Sequence, residues 1–375
     1  MIDAPALTPA QLAPPAIVAP APREVSFGLV AGTLPAGTRR VIVRIGEQVL
    51  ADRPLRGRRF SLRVELPRRE VAVRVTAVTA AGARSSSLVP QVVGLPGAAR
   101  PRAVAAPRLD PALGRRVREL TRAFPGTSGV YVQDLASGRG AAWNARARFP
   151  AASTLKLAIA VAVLRLEPGK PAARSGVESL LQQMLVHSDN EAANQLLDRI
   201  GGSWRVDETL RALDLRDSLM FGGYEVSDRR VPAAALTPAG ALAPIPIRLE
   251  TSPSFGAGKY TSAWDLGRLA RAVHLAASGR GPLPRLGVSA AEARHLLWLL
   301  AHVSDDRKLG RFLGGAASML HKAGWLPTVR HDSGLVVWRG GVFVASVLTW
   351  NPRGVGAAAD VLAGRVARSA LDAYR

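Results

Sequence analysis

A chain of 375 residues, 48% hydrophobic and 21% charged, is long enough for two domains, one of them able to bury a sizeable core. It contains no cysteine, which excludes disulfides and thiolate metal sites, and its six histidines show no paired spacing on a helix, so no metal or other cofactor is expected. The net charge of +22 is carried almost wholly by arginine, because only five lysines occur: Lys156, Lys170, Lys259, Lys308 and Lys322. The excess is spread out, with 15 Arg against 6 acids in residues 1–107. That distribution suits attraction to polyanions such as anionic cell-wall polymers. With aromatics at 5% and no basic element interleaved with them, it weighs against nucleic acid as a partner.

Residues 1–23 are rich in Ala and Pro and are expected to form a disordered tail. No apolar run reaches the roughly 18 residues of a membrane span, and no secretory signal is expected in the sequence as given. From residue 24 to 95 the texture changes to short alternating strands, among them Val41–Ile45, Phe60–Val64 and Val71–Val75, separated by turn formers at Gly32, Gly37, Gly46 and Gly57. This predicts a small immunoglobulin-like β-sandwich suited to binding or spacing. Residues 96–107 read as a Gly/Pro/Ala linker to a domain spanning 108–375.

That domain opens with a helix capped by Asp110 and started by Pro111, followed by a hairpin of Gly129–Leu135 and Gly140–Asn144. Residues 176–215 read as helical with a break at Gly201-Gly202, and helices return at 262–277 and 289–301. Residues 216–258 read as irregular. Two strands around Gly340-Gly341 and a helix from about residue 356 close the chain. The expectation is an α+β fold: one antiparallel sheet formed by both ends of the domain, with an inserted all-helical lobe and a site in the cleft between them.

Three short stretches carry chemistry. In Pro150-Ala-Ala-Ser153-Thr-Leu-Lys156-Leu-Ala-Ile-Ala-Val161, Ser153 opens a helix and Lys156 lies one turn on, within an almost wholly apolar run. A buried ammonium becomes a usable base, and a serine beside it a nucleophile, although Ser153 could be a helix cap and Lys156 a snorkelling side chain. Ser188-Asp189-Asn190 follows an apolar helix and could equally be a cap. Lys322-Ala323-Gly324-Trp325 lies in an expected strand, where an edge lysine is the plainer account. With so few lysines in the chain, two of them falling at the matching slots is hard to ascribe to accident.

The ordered set Ser-x-x-Lys, Ser-Asp-Asn, Lys-x-Gly resembles the penicillin-recognising serine enzymes, and specifically the class A β-lactamases, over about residues 108–375. The segment Tyr260-Thr261-Ser262-Ala263-Trp264-Asp265 is similar to that family's helix-opening Thr segment. The resemblance implies hydrolysis of a β-lactam, or of a D-alanyl amide, through an acyl-enzyme, outside the cytoplasm and without a cofactor. It implies Ser153 as nucleophile, Lys156 as proton acceptor, Ser188 as proton donor to the leaving nitrogen, and Asn190 and Lys322 as substrate anchors. Backbone N–H groups of Ser153 and Trp325 would form the oxyanion hole beside Gly324. The sequence departs from the family at Ala323, where a Thr or Ser hydroxyl is expected, and Arg330 could supply a replacement cation. The family's Glu-x-x-Leu-Asn loop is not cleanly present. Glu225 falls within one residue of the place of its deacylating base, and could also be a surface residue. The interval from Ser188 to Lys322 is longer than in the family, with residues 226–258 expected as the insertion.

Overall fold

The computed structural model describes residues 12–103, 105–225, 245–305 and 307–375, and the chain divides into two compact units, Met1–Gly97 and Ala98–Arg375. The first unit holds strands β1 (Ala16–Ala19), β2 (Glu24–Ser26), β3 (Leu29–Thr33), β4 (Thr38–Ile45), β5 (Gln48–Pro54), β6 (Arg59–Arg63), β7 (Glu70–Thr79) and β8 (Arg84–Gly94). They form a five-stranded sheet in the order β2-β8-β7-β4-β5 and a three-stranded sheet in the order β1-β3-β6. Alternation decides what each strand buries: Val71, Val73 and Val75 of β7 are buried while Arg74 between them is exposed. With Val41 and Val43 of β4, Val30 of β3 and Phe60 of β6 they make one core, drawn from both sheets.

The expected disordered tail needs correcting from residue 16 onward, since residues 1–11 lie outside those described. Ala16–Ala19 pairs with β3 in the register Ala16↔Thr33, and Ile17 packs against the core. Prolines at 14, 15, 20 and 22 bracket this strand without entering it, and at a sheet edge their missing N–H groups cost no ladder bond.

The second unit contains every α-helix among the described residues. Its elements are β9 (Arg108–Leu109), α1 (Pro111–Arg122), β10 (Thr127–Asp134), β11 (Arg139–Trp143), β12 (Phe149–Pro150), α2 (Lys156–Leu166), α3 (Gly176–Val186), α4 (Asn190–Arg199), α5 (Ser203–Ala212), β13 (Tyr260–Thr261), α6 (Ala263–Ala276), α7 (Ala290–Leu300), β14 (Ala317–Leu326), β15 (Val329–Trp338), β16 (Gly341–Trp350) and α8 (Ala357–Tyr374). The fold is therefore mixed α+β. Its main sheet runs β14-β15-β16-β10-β11-β9, and β10 and β16 pair antiparallel from Thr127↔Trp350 to Asp134↔Phe343, so strands from both ends of the unit lie side by side. Apolar faces of α1 and α8, among them Val117, Leu120, Val366 and Ala370, bury against Val132, Val336, Phe343 and Ala345. Helix α6 comes close enough to the sheet that a Cβ at Gly267 would sit 2.7 Å from the Tyr131 ring.

The helical stretch expected over 176–215, with its break at Gly201-Gly202, forms three helices. The Gly201-Gly202 break is present, both glycines having positive φ, and a second break at Ser188 (φ 61°) separates α3 from α4. Of the expected insertion, residues 226–244 lie outside those described, and 245–258 contain neither helix nor strand. No helix among the described residues is long and apolar enough to cross a membrane.

Candidate active site

Helix α2 is apolar on every side of its first two turns, and it is buried there too: residues 156 to 164 are all buried, Lys156 included. A single 3-10 turn, Ala152–Leu155, leads into it and carries Ser153, half-buried, at its centre. The turn is held by Thr154, whose hydroxyl donates to Ala151 O at 2.6 Å, and Ala152 takes a left-handed conformation (φ 48°) that a residue with a Cβ disfavours. Strand β12 immediately before the turn pairs with β13, and His331 Nε2 lies 2.8 Å from Pro150 O.

The ammonium of Lys156 donates to Ser188 O and to Asn190 Oδ1, both at 2.6 Å. Ser188 sits in the break between α3 and α4, where its left-handed backbone turns the carbonyl toward Lys156 while its hydroxyl accepts from Lys322 Nζ at 2.9 Å. Asp189 caps α4 through Ala192 N at 2.7 Å, which fixes Asn190 as the first helical residue. Ser188 thus links the two lysines, its carbonyl to one and its hydroxyl to the other.

Lys322 reaches this point from β14, the edge strand of the main sheet. By strand alternation Lys322 and Gly324 share one face of β14, and Ala323 and Trp325 the other. The Gly324 backbone lies against the serine turn: a Cβ there would be 3.0 Å from Ser153 N and 3.1 Å from both Ala152 Cβ and Thr154 Cγ2. A Cβ at this position would push the serine turn and the edge strand apart by a few tenths of an ångström.

Burial sets the electrostatics. Desolvation first, and then the charge of Lys322, lower the pKa of Lys156 to about 7, against pulls upward from Asp189 and Glu225. Desolvation lowers Lys322 to about 8, opposed by Asp332 and Asp305. Near neutrality Lys156 therefore exchanges a proton readily, while Lys322 is mostly cationic.

Ser153, Lys156, Ser188, Asn190, Lys322 and Gly324 thus converge. Glu225 joins them at the margin: it is exposed, and its carboxylate accepts from Asn190 Nδ2 at 2.8 Å. Ala323 is buried, and its carbonyl accepts from Lys322 Nζ at 3.0 Å. The Trp325 side chain is 58% exposed at the end of the strand. Arg330 is not brought to Lys322. Paired with Trp325 across the strands, it is ion-paired at 2.5 Å with Asp360 of α8 and faces a separate recess beside Lys308 and Asp305.

Three further residues gather here. Tyr224 is buried with its ring under Lys156 Nζ, 4.5 Å from the centroid. Asn194, one turn beyond Asn190, holds the Tyr224 backbone by accepting from its N at 2.7 Å and donating to its O at 2.8 Å. Lys259 donates to Gly223 O. The scarcity of lysine was the available signal for Lys259; nothing local marks Tyr224.

Fold and site together are those of the penicillin-recognising serine enzymes. The family model described as "Beta-lactamase enzyme family" matches residues 112–170 and 166–374, and the chain belongs to that family. A β-lactamase of Streptomyces lavendulae is 32% identical over 140 residues, a match covering 30% of this chain and 46% of that protein, so the chain spans about half the length of this curated relative. Among solved structures, PBP-A superposes with a TM-score of 0.55 at 21% identity, over 72% of this chain and 98% of its own; a variant of it was solved as an acyl-enzyme complex with penicillin G. A class A β-lactamase from Mycobacterium abscessus gives a TM-score of 0.54 at 20% identity, over 70% of this chain and 99% of its own.

Proposed function

We propose that this protein is a serine hydrolase that opens β-lactam amides through an acyl-enzyme on Ser153. The observation that carries the reading is the convergence of Lys156, Ser188 and Lys322 on the turn holding Ser153. Neutral Lys156 takes the Ser153 hydroxyl proton as Oγ attacks the lactam carbonyl. Negative charge gathers on the carbonyl oxygen, and the N–H groups of Ser153 and Trp325 are the donors we assign to it, since β14 is an edge strand with N–H groups left over from pairing. The C–N bond then breaks, and the nitrogen takes the Ser188 hydroxyl proton, which Ser188 regains through its lysine neighbours. Lys322 and Asn190 hold the substrate's carboxylate and side-chain amide.

Release needs a water and a base, and Glu225 is our assignment for the base. A second reading, a penicillin-binding D-alanyl-amide hydrolase that releases slowly, is favoured by one observation: Tyr224, not Glu225, lies against Lys156. We assign the first unit as an immunoglobulin-like binding or spacing module, with anionic wall polymer as its partner, the helices between β11 and β14 as an inserted lobe, and an extracytoplasmic site of action. Incubation with a labelled penicillin and intact-mass measurement over time tests the core of this: a transient adduct supports hydrolysis, a persistent one the slow-release reading, and no adduct overturns both.

A further inference from the structure

Tyr224 takes no part in the chemistry above, yet it touches both halves of it. Two ammonium groups lie over its ring, Lys156 Nζ at 4.5 Å and Lys259 Nζ at 4.8 Å from the centroid. Its hydroxyl donates at 3.1 Å to the carbonyl of Ala152, the left-handed residue directly before Ser153. Lys259 completes a closed set of ties: its ammonium donates to Gly223 O, and its carbonyl accepts from Ala151 N at 2.9 Å. A core tyrosine needs one acceptor for its hydroxyl, and any nearby carbonyl would serve. That account does not explain why two of the chain's five lysines share one ring, nor why one tie from the tyrosine and one from Lys259 end on the two residues ahead of Ser153.

We propose that Tyr224 and Lys259 form a positioning unit for acylation, the tyrosine bracing the strained turn that carries Ser153 and the lysine keeping Lys156 ready to accept the serine proton. The proposal rests on the reading of Ser153 as nucleophile and Lys156 as base. Strain at a left-handed alanine persists only where surrounding contacts over-determine it, and the Tyr224 hydroxyl and the Ala151–Lys259 bond are two such contacts. The charge effect has a definite sign. Lys156 is faced by Lys322 from β14, Asp189 at the start of α4, Glu225 beside Tyr224, and Lys259; the two lysines disfavour its protonated form and the two acids favour it. Loss of the Lys259 charge therefore leaves Lys156 more protonated at neutral pH.

The test is stopped-flow acylation of the full chain by a chromogenic cephalosporin, as a function of pH, for wild type, Lys259→Gln, Lys259→Arg and Tyr224→Phe. Lys259→Gln retains a donor for Gly223 O and removes the charge. Its acid limb moves to higher pH and its rate at pH 7 falls about threefold, with the alkaline plateau kept. Lys259→Arg returns the limb to its wild-type position. Tyr224→Phe lowers the plateau about tenfold, the worth of one hydrogen bond, and leaves the limb in place. A wild-type limb in Lys259→Gln, or one that Lys259→Arg does not restore, overturns the role of the lysine. A wild-type plateau in Tyr224→Phe overturns that of the tyrosine. If the wild type forms no cephalosporin adduct by intact mass, it is the reading of Ser153 that fails, and that failure is visible before any variant is compared.

Discussion

The surroundings of Ser153 and those of Glu225 are built to different standards. Ser153 sits on a turn fixed by Thr154, abutted by the Gly324 backbone and backed by two buried lysines that a third residue, Ser188, ties together. Glu225 is exposed, and among the described residues its carboxylate has one side-chain hydrogen bond, from Asn190. Preorganised groups act without reorganising, whereas an exposed carboxylate is solvated and free to turn away. On the proposed mechanism acylation rests on the core of the fold and release on its surface, so the two steps should respond to mutation with different severity.

The most severe way to probe that contrast is Ser153→Ala, which is expected to abolish covalent labelling by penicillin while the thermal melt stays near wild type; labelling at the wild-type level would remove Ser153 from the mechanism. Next, Lys156→Ala is expected to slow acylation by about 10²–10⁴-fold, the range of a lost general base. In the wild type, acylation should rise with pH through about 7 as the depressed Lys156 loses its proton. A rate flat across that window would return this lysine to a purely structural role. Glu225→Gln should leave the burst intact and cut steady-state turnover by about 10²-fold, the low end of the range for a lost general base. Equal turnover in the two proteins would make the carboxylate a bystander and sharpen the contrast to its limit.

A smaller effect lies on the structural side of the nucleophile. Buried His331 accepts from Thr349 N on Nδ1 and sits 2.8 Å from Pro150 O on Nε2, and burial lowers its pKa from about 6.5 to about 4. With the folded value below the unfolded one, its contribution to stability is complete above about pH 6.5 and is lost as pH falls through 4. The melting temperature of wild type should fall over that window more steeply than that of His331→Gln. Parallel slopes would show that the acid sensitivity arises elsewhere, for instance at buried His274.

Ser153, Lys156, Ser188, Asn190 and Lys322 were legible because each breaks a local rule in a run that is otherwise simple: a charge inside an apolar helix, a capping triplet between helices, a lysine in a strand. The helices and the sheet-forming strands followed from periodicity and caps such as Asp110 with Pro111. What escaped was set by distant docking. Nothing near Tyr224 announces that its ring will meet Lys156 and Lys259, which lie 68 and 35 residues away in sequence. The direction of Arg330 depended on strand alternation, and on Asp360 waiting in α8 to pair with it. The left-handed backbone of Ala152 and Ser188 could not be read from residue types that disfavour it. Strand β1 was hidden by composition, since prolines flank rather than interrupt it.

The pairing of β10 with β16 has a consequence for synthesis as well as for architecture. Thr127 meets Trp350, so the sheet cannot close until almost the whole chain is available, and contacts of such long range are slow to form. Lys322 arrives on β14, which also lies late in the chain and pairs with β15. On an emerging chain Lys156 is then an ordinary solvated lysine, with a pKa near 10.4 and no capacity as a base at neutral pH. On the proposed mechanism Ser153 therefore stays unreactive while the chain is unfolded, and gains its base in the same late step that completes the sheet.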